Sequence, residues 1–97
     1  MKEIMIFEKT GAFAGNKDIA RDIRLNDILP YINDKDKIIL NFDKVESATQ
    51  SFIHALISDV IRQKGINVLD RLYFKNCSST IQKIISIVTE YMQESNY

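Results

Sequence analysis

Three polar side chains stand together in the middle of this chain. Thr49, Gln50 and Ser51 close a polar loop at the mouth of an apolar helix, and His54 follows three residues after Ser51. A hydroxyl at a helix N-terminus sits among free backbone N–H groups, where the helix dipole favours negative charge. Capping is one use of that position: Ser47 or Thr49 can accept from first-turn N–H groups. Phosphorylation of Ser51 is another, adding about −1.5 to −2 charges where a helix end tolerates them. Ser51 and His54 also occupy neighbouring positions of one helical face, so a small hydrolase is a third option. It would need an orienting acid, with Asp43 or Asp59 as candidates, and an oxyanion hole. The chain has no Gly-x-Ser-x-Gly elbow to supply that geometry.

Cys77 is the one thiol. It falls between a strand and a helix, where thiol pKa values drop, and so is a second candidate nucleophile. A phosphate-loop cysteine enzyme wants glycines after the Cys and an Arg six residues on; Lys83 stands there and the glycines are absent. A small, half-buried loop residue is the plainer expectation. Gly11-Ala12-Phe13-Ala14-Gly15 lacks the Lys-Ser/Thr of a phosphate loop and reads as a flexible loop. Phe13 there is either tucked over the core or offered to a partner. One cysteine and one histidine give no zinc set, and no cofactor or metal is expected.

The elements that position these residues emerge from the apolar spacing. Ile4-Met5-Ile6-Phe7 reads as a first strand. Asn16 or Asp18 can cap a helix carrying Ile19, Ile23, Ile28, Leu29 and Ile32, with Pro30 weakening or kinking its end. Arg21 and Arg24 read as its solvated face, paired with Asp18 and Asp22. A turn over residues 33–36 leads to Ile38–Phe42, an apolar run suited to a strand buried on both faces. Residues 48–64 show Phe52, Ile53, Leu56, Ile57, Val60 and Ile61 at helical spacing, and Gly65 stops that helix. Leu72–Phe74 is a third strand. The last helix carries Ile81, Ile84, Ile85, Val88, Tyr91 and Met92, with a fraying end over 93–97. The order β-α-β-α-β-α implies a small, mainly parallel sheet packed by helices. Its carboxyl edge should gather the loops 11–16, 43–51 and 76–80, and ligands or partners usually meet that edge.

Length and composition set the class. Ninety-seven residues, 45% of them apolar, suit one folded domain. Thirteen basic and thirteen acidic residues cancel and are interspersed, which argues against nucleic-acid or membrane-surface binding. The N-terminus lacks a signal-peptide pattern, and a cytoplasmic protein is expected.

Leu40-Asn41-Phe42-Asp43-Lys44-Val45, followed by Gln50-Ser51-Phe52, is similar to the signature of STAS-like domains, relatives of the bacterial anti-sigma factor antagonists. The nearest resemblance is to the small STAS-like family of unassigned function. Its pattern is an apolar strand, Asp/Asn-Phe, a nearby Val, then Ser-Phe opening a long helix. Tyr73 to Cys77 matches that family's third strand and Asn-rich loop, and Ala20 to Leu29 resembles its first helix. The resemblance implies a single α/β STAS-like domain over residues 1–97. In the antagonists the loop reads Asp-Ser-Ser-Gly, and a GHKL-type ATPase kinase phosphorylates the second Ser. Thr49-Gln50-Ser51-Phe52 stand at those places here, so Ser51 matches the phosphorylated residue, while Thr49 and Phe52 replace Asp and Gly.

The same resemblance implies a non-catalytic regulatory domain that binds a nucleotide-binding ATPase or kinase-like protein. The expected contact residues are Asp43, Thr49, Gln50, Ser51, His54, Asn76 and Cys77. The alternatives are a small hydrolase using Ser51 with His54, or Cys77, and a homo-oligomer such as a homodimer joined through the last helix.

Overall fold

Ile38-Ile39-Leu40-Asn41 is the central strand of a three-stranded parallel sheet in the computed structural model, which describes residues 1–33 and 35–94. The strands are β1 (Lys2–Met5), β2 (Phe13–Ala14), β3 (Ile38–Asn41), β4 (Ser47–Ala48) and β5 (Leu72–Lys75). The α-helices are α1 (Ile6–Thr10), α2 (Lys17–Ile23), α3 (Gln50–Lys64) and α4 (Ser79–Glu94). The main sheet runs β1-β3-β5, and β2 pairs with β4 in a second, two-stranded sheet. Every pairing is parallel. Of the expected turn over 33–36, Asn33 Oδ1 accepts from the Lys35 and Asp36 N–H groups, with residue 34 outside the described residues. Of the expected fraying over 93–97, Gln93 and Glu94 are the last residues of α4, and 95–97 lie outside the described residues.

Alternation sets the faces of the sheet. Ile4, Ile38, Leu40 and Leu72 point into the core. Glu3, Ile39, Tyr73 and Lys75, level or nearly level across the register, line the opposite face and are half-buried or exposed. The central strand is therefore not buried on both faces, because its second face is only partly covered.

Helix α3 packs between α2 and α4. Its Phe52, Ile53, Leu56, Ile57, Val60 and Ile61 are all fully buried. Gly65 ends it at φ 86°, a left-handed backbone that glycine adopts without a Cβ penalty.

Three segments depart from the expected elements. The first strand ends at Met5, and Ile6 opens α1 instead. Ile6 is fully buried and Phe7 is partly exposed, and the short helix closes with Gly11 N donating to Phe7 O at 2.8 Å. The Gly11–Gly15 segment is no free loop, since Phe13 and Ala14 pair with Ser47 and Ala48. The first long helix is capped by the Asn16 side chain, but its α-helical part stops at Ile23 and a π-helical stretch, Arg24–Ile28, comes next. Leu29 N donates to Arg24 O at 2.9 Å, the i+5 bond that defines this geometry. The wider turn lets Ile23 and Ile28, five residues apart, both be buried. Arg24 leaves the solvated face as a result. Its Nη1 donates to Ala55 O at 2.6 Å and lies 3.4 Å from Asp59.

The π stretch makes a sharp prediction. Ile28→Ala should lower unfolding free energy by about 2–5 kcal/mol, as for other buried aliphatics. Leu25→Ala, at a position largely exposed, should change it by less than about 0.5 kcal/mol. Urea denaturation of the two variants reads both values.

Candidate functional site

The carboxyl edge of the sheet is organised by one amide. Asn41, at the end of β3, is 6% exposed. Its Oδ1 accepts from the Asp43 backbone N–H at 2.9 Å and from Asn76 Nδ2 at 3.1 Å. Its Nδ2 donates to Glu3 Oε2 at 2.9 Å. One side chain thus ties β1 to the loops that leave β3 and β5. Further bonds add the remaining loop: Glu46 N donates to Ala12 O at 2.8 Å, and Thr49 N to Ala14 O at 3.0 Å. Ser78 Oγ donates to Glu46 O at 3.4 Å. The three segments 11–16, 43–51 and 76–80 therefore meet at one edge. Lys44 and Asn76 adopt left-handed backbone there, at φ 70° and 58°. Asn tolerates that region well and Lys less so.

Thr49 is the helix cap, with Oγ1 accepting from Phe52 N at 3.1 Å, while Ser47 lies in β4. Ser51 is exposed, and its Oγ lies 3.2 Å from Thr49 Oγ1. Lys17, Gln50, Ser51, His54 and Ala55 line a shallow groove. Phe52, next after Ser51, points wholly into the core. Asn76 and Cys77 line a different hollow with Phe74 and Gln82. The expected contact residues thus share an edge but divide between two hollows. Asp43 lines neither hollow; it sits in the loop after β3, exposed and held by Asn41 through its backbone.

The expected nucleophile arrangements do not assemble. His54 Nδ1 is 3.3 Å from Ser58 Oγ, one turn further on, rather than bonded to Ser51. Asp59, a candidate acid, is paired with Arg62 at 2.9 Å and with Arg24. Cys77 does not have the lowered pKa that its place between strand and helix implied. Burial pushes its thiol up, because desolvation disfavours the thiolate. Among the described residues, no group of three or more His, Cys, Asp or Glu is placed to hold a metal ion. No helix among them is long and apolar enough to cross a membrane.

Sequence reasoning missed one member of this edge, Asn41, and left open the placement of another, Phe13. Asn41 reads as the polar end of an apolar run, and nothing near it in sequence announces its partners. Phe13 is 59% exposed, with its ring laid over Gly15, where a Cβ would overlap it. The flanking glycines had singled Phe13 out, and its exposure favours the second of its two expected roles, offered rather than tucked over the core.

A parallel α/β domain whose strand-end loops converge on one polar edge is the class these observations define. Residues 20–82 match the family described as a STAS-like domain of unknown function (DUF4325), and the chain belongs to that family. No curated protein and no solved structure matches it.

Asn41→Ala should cost about 1–3 kcal/mol, since it strands the Asp43 N–H and the Asn76 amide. Amide hydrogen exchange should quicken at residues 43–47 and 76–78 more than in α3. Cys77 should alkylate more slowly than a free cysteine at the same pH. A raised pKa leaves less thiolate, so the midpoint of its rate profile should fall above that of the free amino acid.

Proposed function

We propose that this chain is a non-catalytic regulatory module of the bacterial cytoplasm that binds a nucleotide-binding protein of the GHKL ATPase or kinase-like class. The contact is made through the edge around Thr49, Gln50, Ser51 and His54, and Ser51 is the switch. The observation that carries this reading is the setting of Ser51. Its hydroxyl is exposed in the first turn of α3, beside the capping Thr49 and in one groove with Lys17. Phe52 stands where related switch proteins carry glycine, yet its ring is buried and leaves the approach to Ser51 open.

A phosphate on Ser51 would meet the positive end of the α3 dipole and the Lys17 ammonium. The fold would tolerate it, and the partner would read the added charge by repulsion or by new Arg pairing. Exposed Phe13, braced on the neighbouring β2–β4 sheet, offers an apolar contact close to the same loop.

The test is co-expression with a GHKL-type ATPase encoded beside this chain, then incubation with ATP and mass spectrometry. Phosphate should appear on Ser51. Ser51→Glu should change the affinity for the ATPase by about tenfold or more, and Ser51→Ala should abolish the modification. An unmodified Ser51, together with unchanged binding by Ser51→Glu, would sink the reading.

A further inference from the structure

Helix α4 carries two stripes, one lying wholly in the core and a second that touches the core only through Ile84. Ile81, Ile85, Val88 and Met92 form the buried stripe. Ile84, Ile87 and Tyr91 repeat the same spacing on the neighbouring flank. Ile84 is half-buried, whereas Ile87 is 43% and Tyr91 56% exposed. The opposite flank carries Gln82, Ser86, Thr89 and Gln93, all polar. The apolar flank is therefore a one-sided feature of the helix. Tyr91 is also steadied, its ring centroid lying 6.3 Å from that of His54 on α3. A held aromatic loses little freedom on docking.

The charges on α4 indicate what covers this flank. The helix has three charged residues, Lys83, Glu90 and Glu94, all exposed and all bordering the second stripe. The cation lies in the N-terminal half and both carboxylates in the C-terminal half. That order opposes the helix's own dipole, which favours acids at the start and bases at the end. It is complementary to the same helix running the other way.

We infer that a second copy of this chain docks on α4, its own α4 antiparallel to the first. With the two-fold axis at Ile87, the two Ile87 side chains meet and each Ile84 lies toward the second copy's Tyr91. Each Lys83 comes level with the turn between the second copy's Glu90 and Glu94. All three charges lie on one side of the stripe, so a parallel two-fold pair would put the two charged edges on opposite sides of the seam. The antiparallel pair instead sets Lys83 against the second copy's carboxylates, and the charge order therefore favours the antiparallel orientation. A sixteen-residue helix is about 24 Å long, so the contact belongs to the small, reversible class of interfaces. This pairing does not rest on the Ser51 reading, and Ser51→Glu should leave it unchanged.

Sedimentation velocity from about 1 µM to about 1 mM should show the mass rising from one copy to two, with a micromolar midpoint. Ile87→Asp should stay at the mass of one copy while keeping the far-UV circular dichroism and Tm of the parent, because Ile87 is not part of the core. Lys83→Glu should weaken association by about tenfold, and Lys83→Glu combined with Glu90→Lys and Glu94→Lys should restore it. A parent chain that remains one copy at the highest concentration overturns the proposal and leaves the stripe to a different protein. So does a dimer that Ile87→Asp leaves intact, or a charge-reversed variant no tighter than Lys83→Glu.

Discussion

A buried amide at the end of the central strand holds this domain's working edge together. Asn41 is removed from water, so its polar atoms need partners within the protein. It finds them in Glu3, the Asp43 backbone and Asn76, which belong to three different parts of the chain. An apolar residue there would pack as well but would leave those groups unpaired. The amide's donor and acceptor ends are not interchangeable, because the Asp43 N–H requires the oxygen and the Glu3 carboxylate requires the NH2. One side chain therefore orients the loops that leave the sheet.

The rest of the fold supplies a rigid base for that edge. Helix α3 buries one whole face between its neighbours, and each fully buried aliphatic or aromatic side chain contributes about 1.5–3 kcal/mol of transfer free energy. The same helix begins at Thr49 and Ser51, so the exposed hydroxyl is mounted on the best-anchored element of the domain. A switch placed there changes the surface charge without disturbing the core. The Arg24 guanidinium, bonded to Ala55 O, joins the π-helical stretch to the middle of α3 and further fixes its position.

Much of this was legible in the residues, and the failures have physical causes. The doublets from Phe52 to Ile61 can satisfy only a helix, and the run from Ile38 only a strand, so β3, α3, β5 and α4 were all foreseeable. Sheets of two residues show no period, which hid β2 and β4. Ile6-Phe7 continues an apolar run, and Ile4 and Ile6 inward with Phe7 outward fits a strand's alternation as well as a helical turn, so the run did not show where β1 ends. The π-helical stretch was concealed because Ile23 and Ile28 look like an imperfect α-period. At the candidate site the hydroxyls and the cap could be read from Thr49 to Phe52. The Asn41 network could not, since its members at 3, 41, 43 and 76 meet only when the sheet forms. The charge order of α4 was also in plain view, but without burial the second stripe merges with the first.

The all-parallel pairing bears on how the chain reaches this state. β1 finds its partner only in β3, and β3 its second partner only in β5, each across intervening helical segments. No hairpin exists among the described strands to seed the sheet locally. Each pairing must close a long loop before any ladder bond forms, which makes sheet assembly slow relative to helix formation. During synthesis β1 stays without its strand partner until Ile38 has emerged, and the sheet is complete only after Lys75. Until Lys75 has emerged, the sheet lacks its third strand. Its apolar strands are then open to chaperones or to each other, and the Asn41 amide gains its third partner only when Asn76 has emerged.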